Sequence, residues 1–396
     1  MGRHSSIILT DGQAGCIDEI VKWYDYETRQ DFVYSGPAGT GKTSIVPIIL
    51  DELGLEPDEV TIVAFTGKAA SVLMLKGLDA STIHAAFFEP SLLPLYENGK
   101  PVIRNGRVVK RIKFVEKQFI DKKTKLIIID EWSMVNTDMR DVMYKFGIPV
   151  LAMGDADQLE PIFGRSPFAD RIDYMLTEIT RQAKDNGIIQ LATLIREGND
   201  LPVYMNFRNN AWVLSKKFLT RRHLLDTDMI LTVKNKTRNV FNSKMRDLHG
   251  SKGILPNVGD RLLCRKNVWS KSLNGIPLIN GTLGRVVNPI RMSECNLKEG
   301  IYRIDFQPDY VMDYNYYEAL ECDYDYLKEP CGRKEINMYN QGAKLEYGEA
   351  MTVHSSQGSQ FNSIMYWDEF MGDREFMRKL RYTAVTRAVE KAYMFI

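Results

Sequence analysis

Gly36-Pro37-Ala38-Gly39-Thr40-Gly41-Lys42-Thr43 is the stretch whose reading decides the fold. It fills the pattern G-x-x-x-x-G-K-[ST], with a short apolar run at 32–34 before it and a helical pattern opening at Ser44. The glycines let backbone N–H groups wrap a chain of phosphates, and the start of the following helix adds its positive end. Lys42 is placed to reach the β- and γ-phosphates and the Thr43 hydroxyl to ligate Mg²⁺. The whole stretch, Ser44 included, is therefore expected to hold a nucleoside triphosphate.

Outward from this loop the first half alternates short apolar runs, at 32–34, 60–65, 126–129 and 148–153, with longer helical patterns. Strands alternating with helices predict a parallel, doubly wound sheet whose ligands sit at the carboxyl ends of the strands. Every chemically suggestive residue of this half falls at such an end. Asp130 and Glu131 close one run; Asp130 can hold Mg²⁺ through water and Glu131 can orient or deprotonate an attacking water. Gln158, in Gly154-Asp155-Ala156-Asp157-Gln158-Leu159, can position that water and report its reaction.

The alternation breaks between 88 and 116. Val102-Ile103-Arg104, Asn105-Gly106 and Arg107-Val108-Val109 read as a two-residue turn between β-formers, a hairpin signal in a basic setting. From 100 to 125 there are ten Lys or Arg and two acids, Glu116 and Asp121. A second basic cluster is Lys216-Lys217 with Arg221-Arg222. Beyond 181 a second unit begins, with buried strands expected at 229–233, 352–354 and 393–396. Between 259 and 345 short strands and turns suggest a small β-barrel-like insert. Residues 310–326 are crowded with Tyr and Asp and show no period.

The bulk properties set limits. At 396 residues two or more domains are expected, and 44% hydrophobic with 26% charged residues is the balance of a globular chain. No apolar run approaches the ~20 residues of a membrane span, and Met1-Gly2-Arg3-His4 lacks a signal peptide's apolar core. A cytoplasmic protein is expected, in a host's cytoplasm if phage-encoded. Cys16, Cys264, Cys295, Cys322 and Cys331 contain no CxxC pair, against both a disulfide framework and a zinc site. The formal net charge of +1 says nothing about nucleic acid.

Taken in order, further segments resemble the RecD- and Dda-like branch of superfamily 1 helicases, and the compact length and small hairpin are most similar to the phage Dda-type enzymes. Ile8-Leu9-Thr10 with Gln13 resembles the segment whose Gln reads adenine. Ala64-Phe65-Thr66-Gly67-Lys68-Ala69-Ala70 and Ser81-Thr82-Ile83-His84 resemble two DNA-contacting motifs. Leu176-Thr177-Glu178-Ile179-Thr180-Arg181-Gln182 looks like the segment that brings an Arg to the γ-phosphate. Thr352-Val353-His354-Ser355-Ser356-Gln357-Gly358-Ser359 resembles the motif coupling DNA to ATP, and Tyr382-Thr383-Ala384-Val385-Thr386-Arg387-Ala388 the motif with the arginine finger. Phe65, Glu160 and Ser355 depart from the family pattern, where Pro or Ala, Pro, and Lys respectively are usual.

The resemblance implies two RecA-like P-loop NTPase domains with parallel sheets, a β-hairpin insert in the first and a small SH3-like β-barrel insert in the second. The implied boundaries are 1–87 with 117–180, 88–116, 181–258 with 346–396, and 259–345. It implies ATP and Mg²⁺, catalysis by Lys42, Glu131, Gln158, Arg181 and Arg387, and nucleotide contacts by Gln13, Gln357 and Gly358 besides the P-loop. DNA contacts are expected from Phe65, Thr66, Thr82, His84, Phe87, Phe88, Thr352 and His354, and from Arg104, Arg107 and Lys110 as a duplex-splitting pin. Trp269 is a further stacking candidate. The implied activity is 5′→3′ unwinding by a monomer on single-stranded DNA and duplex junctions, with replication or recombination proteins as partners and no membrane. A translocase or protein-displacing motor without efficient unwinding shares the same motifs. A nucleotide-switched binding protein would have less need of Glu131, Gln158 and two arginines, and a small-molecule kinase would not need the Gln357 and Arg387 motifs.

Overall fold

The computed structural model describes residues 8–26, 28–94, 96–97, 100–104, 107–108, 110–160, 164–180, 185–273, 276–311, 315–328 and 342–396. The chain divides into two compact units, Met1–Ala183 and Lys184–Ile396.

The first unit is built on a six-stranded sheet in the order Tyr174–Met175, Asp31–Ser35, Val150–Gly154, Leu126–Asp130, Val60–Ala64, Ala80–Thr82, every neighbour parallel. Its strands are apolar almost throughout because both faces are covered. Alternation sorts the side chains: Tyr34, Ile62, Ile128 and Leu151 pack with the helices Asp11–Tyr26, Val46–Glu52 and Gly67–Leu75. Val33, Val63, Ile127, Ile129 and Ala152 face the opposite core with Phe87, Trp132, Met143 and Phe168. The run expected at 148–153 starts pairing only at Val150, since Pro149 has no N–H to give a ladder. The run at 60–65 ends at Ala64, because Thr66 turns the chain into a helix as its N-cap.

The segment from 88 to 116 pairs Phe88–Pro94 with Lys110–Glu116 antiparallel, from Phe88↔Glu116 to Pro94↔Lys110. Two smaller ladders lie beyond, Tyr96–Glu97 with Lys100–Pro101 and Ile103–Arg104 with Arg107–Val108. Asn105 and Gly106 lie outside the described residues.

The second unit has a six-stranded sheet in the order Met205–Phe207, Ala211–Leu214, Ala388–Phe395, Phe361–Trp367, Met229–Thr232, Ala350–Thr352. Only the first pair is antiparallel. The strand expected at 352–354 lies earlier and ends at Thr352. The Thr352 hydroxyl accepts the Ser355 N–H at 3.4 Å, and this local turn replaces the ladder with one 3₁₀ turn, His354–Ser356.

Inserted in this unit is a five-stranded antiparallel sheet, Tyr317–Asp323, Ile301–Pro308, Leu283–Val286, Arg261–Cys264, Leu345–Tyr347. A single bridge joins Cys322 to Ala343, so the two edges of the sheet meet around a core that includes Leu262, Val286, Tyr302, Phe306 and Leu345. The Tyr/Asp-rich stretch supplies the strand Tyr317–Asp323 and the short helix Tyr324–Lys328. Its lack of period has a cause: the register shifts between Ile304 and Phe306, and opposite them Ala319 takes a φ of +44°.

Among the described residues no helix is long and apolar enough to cross a membrane. Cys16, Cys264, Cys295 and Cys322 are free thiols, and Cys331 lies outside the described residues.

Candidate nucleotide and nucleic-acid site

Because the first unit's strands are parallel and level, their carboxyl ends form one edge. Ser35 sits opposite Gly154, Met153 opposite Asp130, Asp130 opposite Ala64, and Ala64 opposite Thr82. Read along that edge, the strands deliver the loop 36–43, the Gln158 turn, Asp130-Glu131, Thr66 and Thr82.

The loop is shaped for close backbone approach. Gly36 donates to the Gly154 carbonyl at 3.1 Å, and a Cβ on Gly36 would lie 2.7 Å from the Thr40 hydroxyl. Gly41 has φ +75°, where a side chain is strained. The Lys42 ammonium donates to the Gly36 and Pro37 carbonyls, folded back across its own loop. Thr40 is buried by its bond to the Pro37 carbonyl at 2.9 Å, while Thr43 and Ser44 stand at the start of the helical segment. That segment opens as a 3₁₀ turn, Thr43–Ile45, and becomes an α-helix at Val46 with Pro47 in its first turn.

Gln13 is nearly inaccessible, at 3% exposure. Its Nε2 donates to the Thr40 carbonyl at 2.9 Å and its Oε1 accepts the Thr10 N–H at 3.0 Å, so the amide is directed at the loop. The Thr180 N–H joins from the other side, on the Gly39 carbonyl at 3.0 Å. Sequence reading passed over this use of Thr180; its place one residue before Arg181 is the only signal. Arg181 lies outside the described residues.

Asp130 accepts the N–H of Glu131 at 3.0 Å, and Glu131 adopts the left-handed conformation at φ +59°. Burial raises the Asp130 carboxyl well above the usual range, the Glu131 charge adds to this, and Lys42 opposes it. Two carboxylates crowded beside a lysine at a phosphate loop suit a divalent cation shared with phosphates, which needs few protein ligands. The residues present fit a nucleoside triphosphate with Mg²⁺. Gln158 is 6% exposed and its Oε1 is buried without a hydrogen-bond partner, an acceptor left over by the protein fold. The Ser35 hydroxyl accepts the Ala156 N–H at 3.0 Å and ties this turn to the strand before the P-loop.

Thr66 and Thr82 cap neighbouring helices, accepting the N–H of Ala69 and of Ala85, each at 3.1 Å. Each hydroxyl keeps its own proton to donate. Phe65 is half-buried; His84 stacks on Phe88 at 5.2 Å, and burial lowers the His84 pKa. Phe87 must be corrected: it is fully buried, packed on Phe146 at 5.7 Å, and a ring with no exposed face stacks on no base. The backbones of Arg104, Arg107 and Lys110 lie in the hairpin strands, while their side chains, like that of Trp269, lie outside the described residues.

In the second unit Thr352 ends the edge strand, its hydroxyl 3.0 Å from that of Ser355. His354 stacks on Phe376 at 5.9 Å and its pKa is lowered by burial. Gln357 is buried, Gly358 has φ +69°, and Arg387 donates to the Ser359 carbonyl at 3.4 Å and to the Thr383 carbonyl at 3.1 Å. Arg387 is thus held beside the 357–359 turn.

Residues 9–214 match the AAA domain family, and residues 347–395 match the UvrD-like helicase C-terminal domain. The chain is 29% identical over 203 residues to the ATP-dependent DNA helicase dda of Enterobacteria phage T4, covering 48% of this chain and 43% of that protein. It is 26% identical to the ATP-dependent RecD2 DNA helicase of Deinococcus radiodurans, over 97% of this chain and 48% of that protein. The chain spans less than half the length of these two relatives. Bacteroides Pif1 bound to ssDNA superposes with a TM-score of 0.52 at 17% identity, covering 99% of this chain and 93% of that one. Pif1 helicase from Candida albicans superposes at 0.51 and 19%, covering 98% and 94%. The fold is that of Pif1-like helicases, with two RecA-like domains.

Proposed function

From the premise that this chain belongs to the AAA domain family, within the Dda- and RecD-like branch of superfamily 1 helicases, we propose that it is an ATP-dependent DNA helicase. It moves 5′→3′ on single-stranded DNA and unwinds duplex, through ATP-driven closing and opening of its two RecA-like domains. The observation that carries this reading is the carboxyl edge of the first sheet. Along it the phosphate loop, the Gln158 turn and Asp130-Glu131 are followed by the capping threonines Thr66 and Thr82. Candidate hydrolysis residues and candidate DNA contacts therefore stand on neighbouring strands of one sheet.

In this reading Lys42 holds the β- and γ-phosphates, and Thr43 with Asp130 holds Mg²⁺. The metal, when bound, neutralises charge on the phosphates. Glu131 takes one proton of the attacking water, and Gln158 positions that water by accepting its other O–H on the buried, unused Oε1. Arg181 and Arg387 stabilise the transferring phosphoryl group, a role worth roughly 10³–10⁵ in rate for an arginine finger. Thr66, Thr82, His84, Thr352 and His354 grip the DNA strand, with Phe65 and Phe88 as stacking faces. The basic hairpin with Arg104, Arg107 and Lys110 splits the duplex.

The test is the ATPase rate with and without single-stranded DNA, followed by unwinding of 5′-tailed against 3′-tailed duplex. DNA stimulation and a 5′ preference are expected. A rate indifferent to saturating DNA rules out the motor, and a 3′ preference reverses the polarity. A shortened hairpin that unwinds normally leaves a motor without this pin.

A further inference from the structure

The second unit carries more positive charge at one place than its ion pairs use. Arg238, on the helix Asn235–Leu248, meets Glu346, on the strand Leu345–Tyr347, at 2.7 Å with both side chains 1% exposed. That pair is already neutral. Arg265, one residue past the strand Arg261–Cys264, brings a second guanidinium to the same Glu346 oxygen at 3.4 Å. One carboxylate thus faces two guanidinium groups, and one positive charge is left over. The Arg265 side chain is 29% exposed, so the surplus is presented to solvent.

Two lysines lie beside it. The Arg265 N–H donates to the Lys344 carbonyl at 2.8 Å, and Lys266 is the next residue in the chain. Burial, and then the charge of Lys266, lowers the Lys344 pKa against the opposing pull of the Asp323 carboxylate, so the two ammonium groups are close enough to repel. The Lys344 ammonium also lies 5.6 Å from the Tyr326 ring centroid. Among the described residues neither lysine has an ion-pair partner. Three like charges held together by the fold are favourable once an anion lies among them. The Arg265 fork is only partly used: Nε faces Glu346 and Nη1 donates to the Ser355 hydroxyl at 3.2 Å. Its other N–H groups remain for an oxyanion.

Location identifies the anion. The Ser355 hydroxyl that Arg265 touches is 3.0 Å from that of Thr352, in the segment read above as a DNA contact. Ser355 itself is neutral, so that segment offers no lysine at this position. We propose that Arg265, with Lys266 and Lys344, is a binding site for the phosphate backbone of single-stranded DNA. The β-rich insert thereby supplies the cation that the 352–359 segment lacks. The inference rests on the DNA-motor reading and deepens it.

The test is binding of labelled oligo(dT) to the full chain across a salt series. Arg265→Ala is expected to weaken binding about tenfold at moderate salt, with the slope of log affinity against log salt falling by about 0.7 for one lost phosphate contact. Arg265→Lys should keep the slope. Lys266→Ala with Lys344→Ala removes no ion pair and should lower the slope by about 1.4. Wild-type affinity and slope in both alanine variants overturn the proposal and leave the motor reading intact. A loss equal at every salt concentration also overturns it, as a purely structural effect. A wild-type chain that does not bind oligo(dT) overturns both.

Discussion

The Nε2 of Gln13 donates to the carbonyl of Thr40 at 2.9 Å, so a side chain from the first helix holds the backbone of the phosphate loop from behind. An added Cβ on Gly41 would lie 2.5 Å from the same nitrogen. Gln13 and the loop are therefore fitted to one another. Gln13→Ala removes the hydrogen bonds to the Thr40 carbonyl and from the Thr10 N–H. The first, buried against the loop and worth about 1 kcal/mol, should weaken nucleotide binding about fivefold when lost. Because the contact is to the loop, ATP and GTP should weaken alike. Steady-state titration of both nucleotides checks this, and a loss confined to ATP would restore adenine reading as the main role.

Lys42 and Gln158 should separate in kinetics. Lys42→Ala removes the ammonium folded over the loop and is expected to lower kcat by about 10² or more, as loss of a single charge-stabilising donor does. Gln158→Ala deletes a buried acceptor that has no partner in the fold, so stability should be kept while kcat falls. Thermal melting beside single-turnover hydrolysis distinguishes the two effects. A melting point that drops with Gln158→Ala would mean that its amide is structural.

Adjacent phenylalanines give a sharper contrast. Phe87 is fully buried, and Phe87→Ala should cost about 3–5 kcal/mol in unfolding free energy. Phe88 is half-buried against His84, and Phe88→Ala should cost markedly less while weakening single-stranded DNA binding. Denaturant melts paired with DNA titrations check both. Equal stability losses would contradict the different burial of the two rings.

That contrast shows where sequence reading stops. The turn of Gly36–Thr43 and the strand end at Asp130 were legible because a glycine at positive φ and an acid closing an apolar strand are local requirements with local residue signatures. Thr66 entered only through the resemblance, and its capping role came from the structure. Phe87 and Phe88 share composition, neighbours and a helix end; only the packing of residues 59 positions away, around Phe146, decides which one is core. Arg265 was passed over for the same reason. Its partners Glu346 and Ser355 are 81 and 90 residues distant, and nothing in Cys264-Arg265-Lys266 signals them. The strand placed at 352–354 slipped because the Thr352 side chain competes with the ladder for the backbone.

Three histidines set a pH dependence. His84, His223 and His354 all have pKa values lowered by burial. The unfolded chain takes up these protons near pH ~6.5, and the folded chain only at lower pH. Between the two values the unfolded state binds more protons, so stability present above pH ~6.5 is lost on acidification. The histidines therefore pull the urea midpoint down as pH falls from about 7 through about 6. Asp130, whose carboxyl is pushed up to about 7, takes its proton in the folded chain first and pulls the other way. Replacing all three histidines by glutamine should raise the midpoint at about pH 6 relative to about pH 7, compared with the parent chain, and an unchanged pH profile would assign it to other groups.

The last prediction concerns the ion pair beneath the proposed DNA surface. Arg238 and Glu346 meet at 2.7 Å with each side chain 1% exposed, and burial raises the Glu346 pKa even against two guanidinium groups. Such a pair is expensive to break and of little net worth to keep. Glu346→Leu leaves the buried Arg238 uncompensated and should cost about 3–5 kcal/mol, a shift of a molar or more in the urea midpoint at an m-value of about 1–3 kcal/mol/M. Arg238→Met should cost less, because Arg265 still faces Glu346 at 3.4 Å. The double variant should recover most of the loss, as apolar replacements of buried pairs do. Additive losses in the double variant would show that the two charges do not depend on one another, and the surplus charge assigned to Arg265 would need another origin.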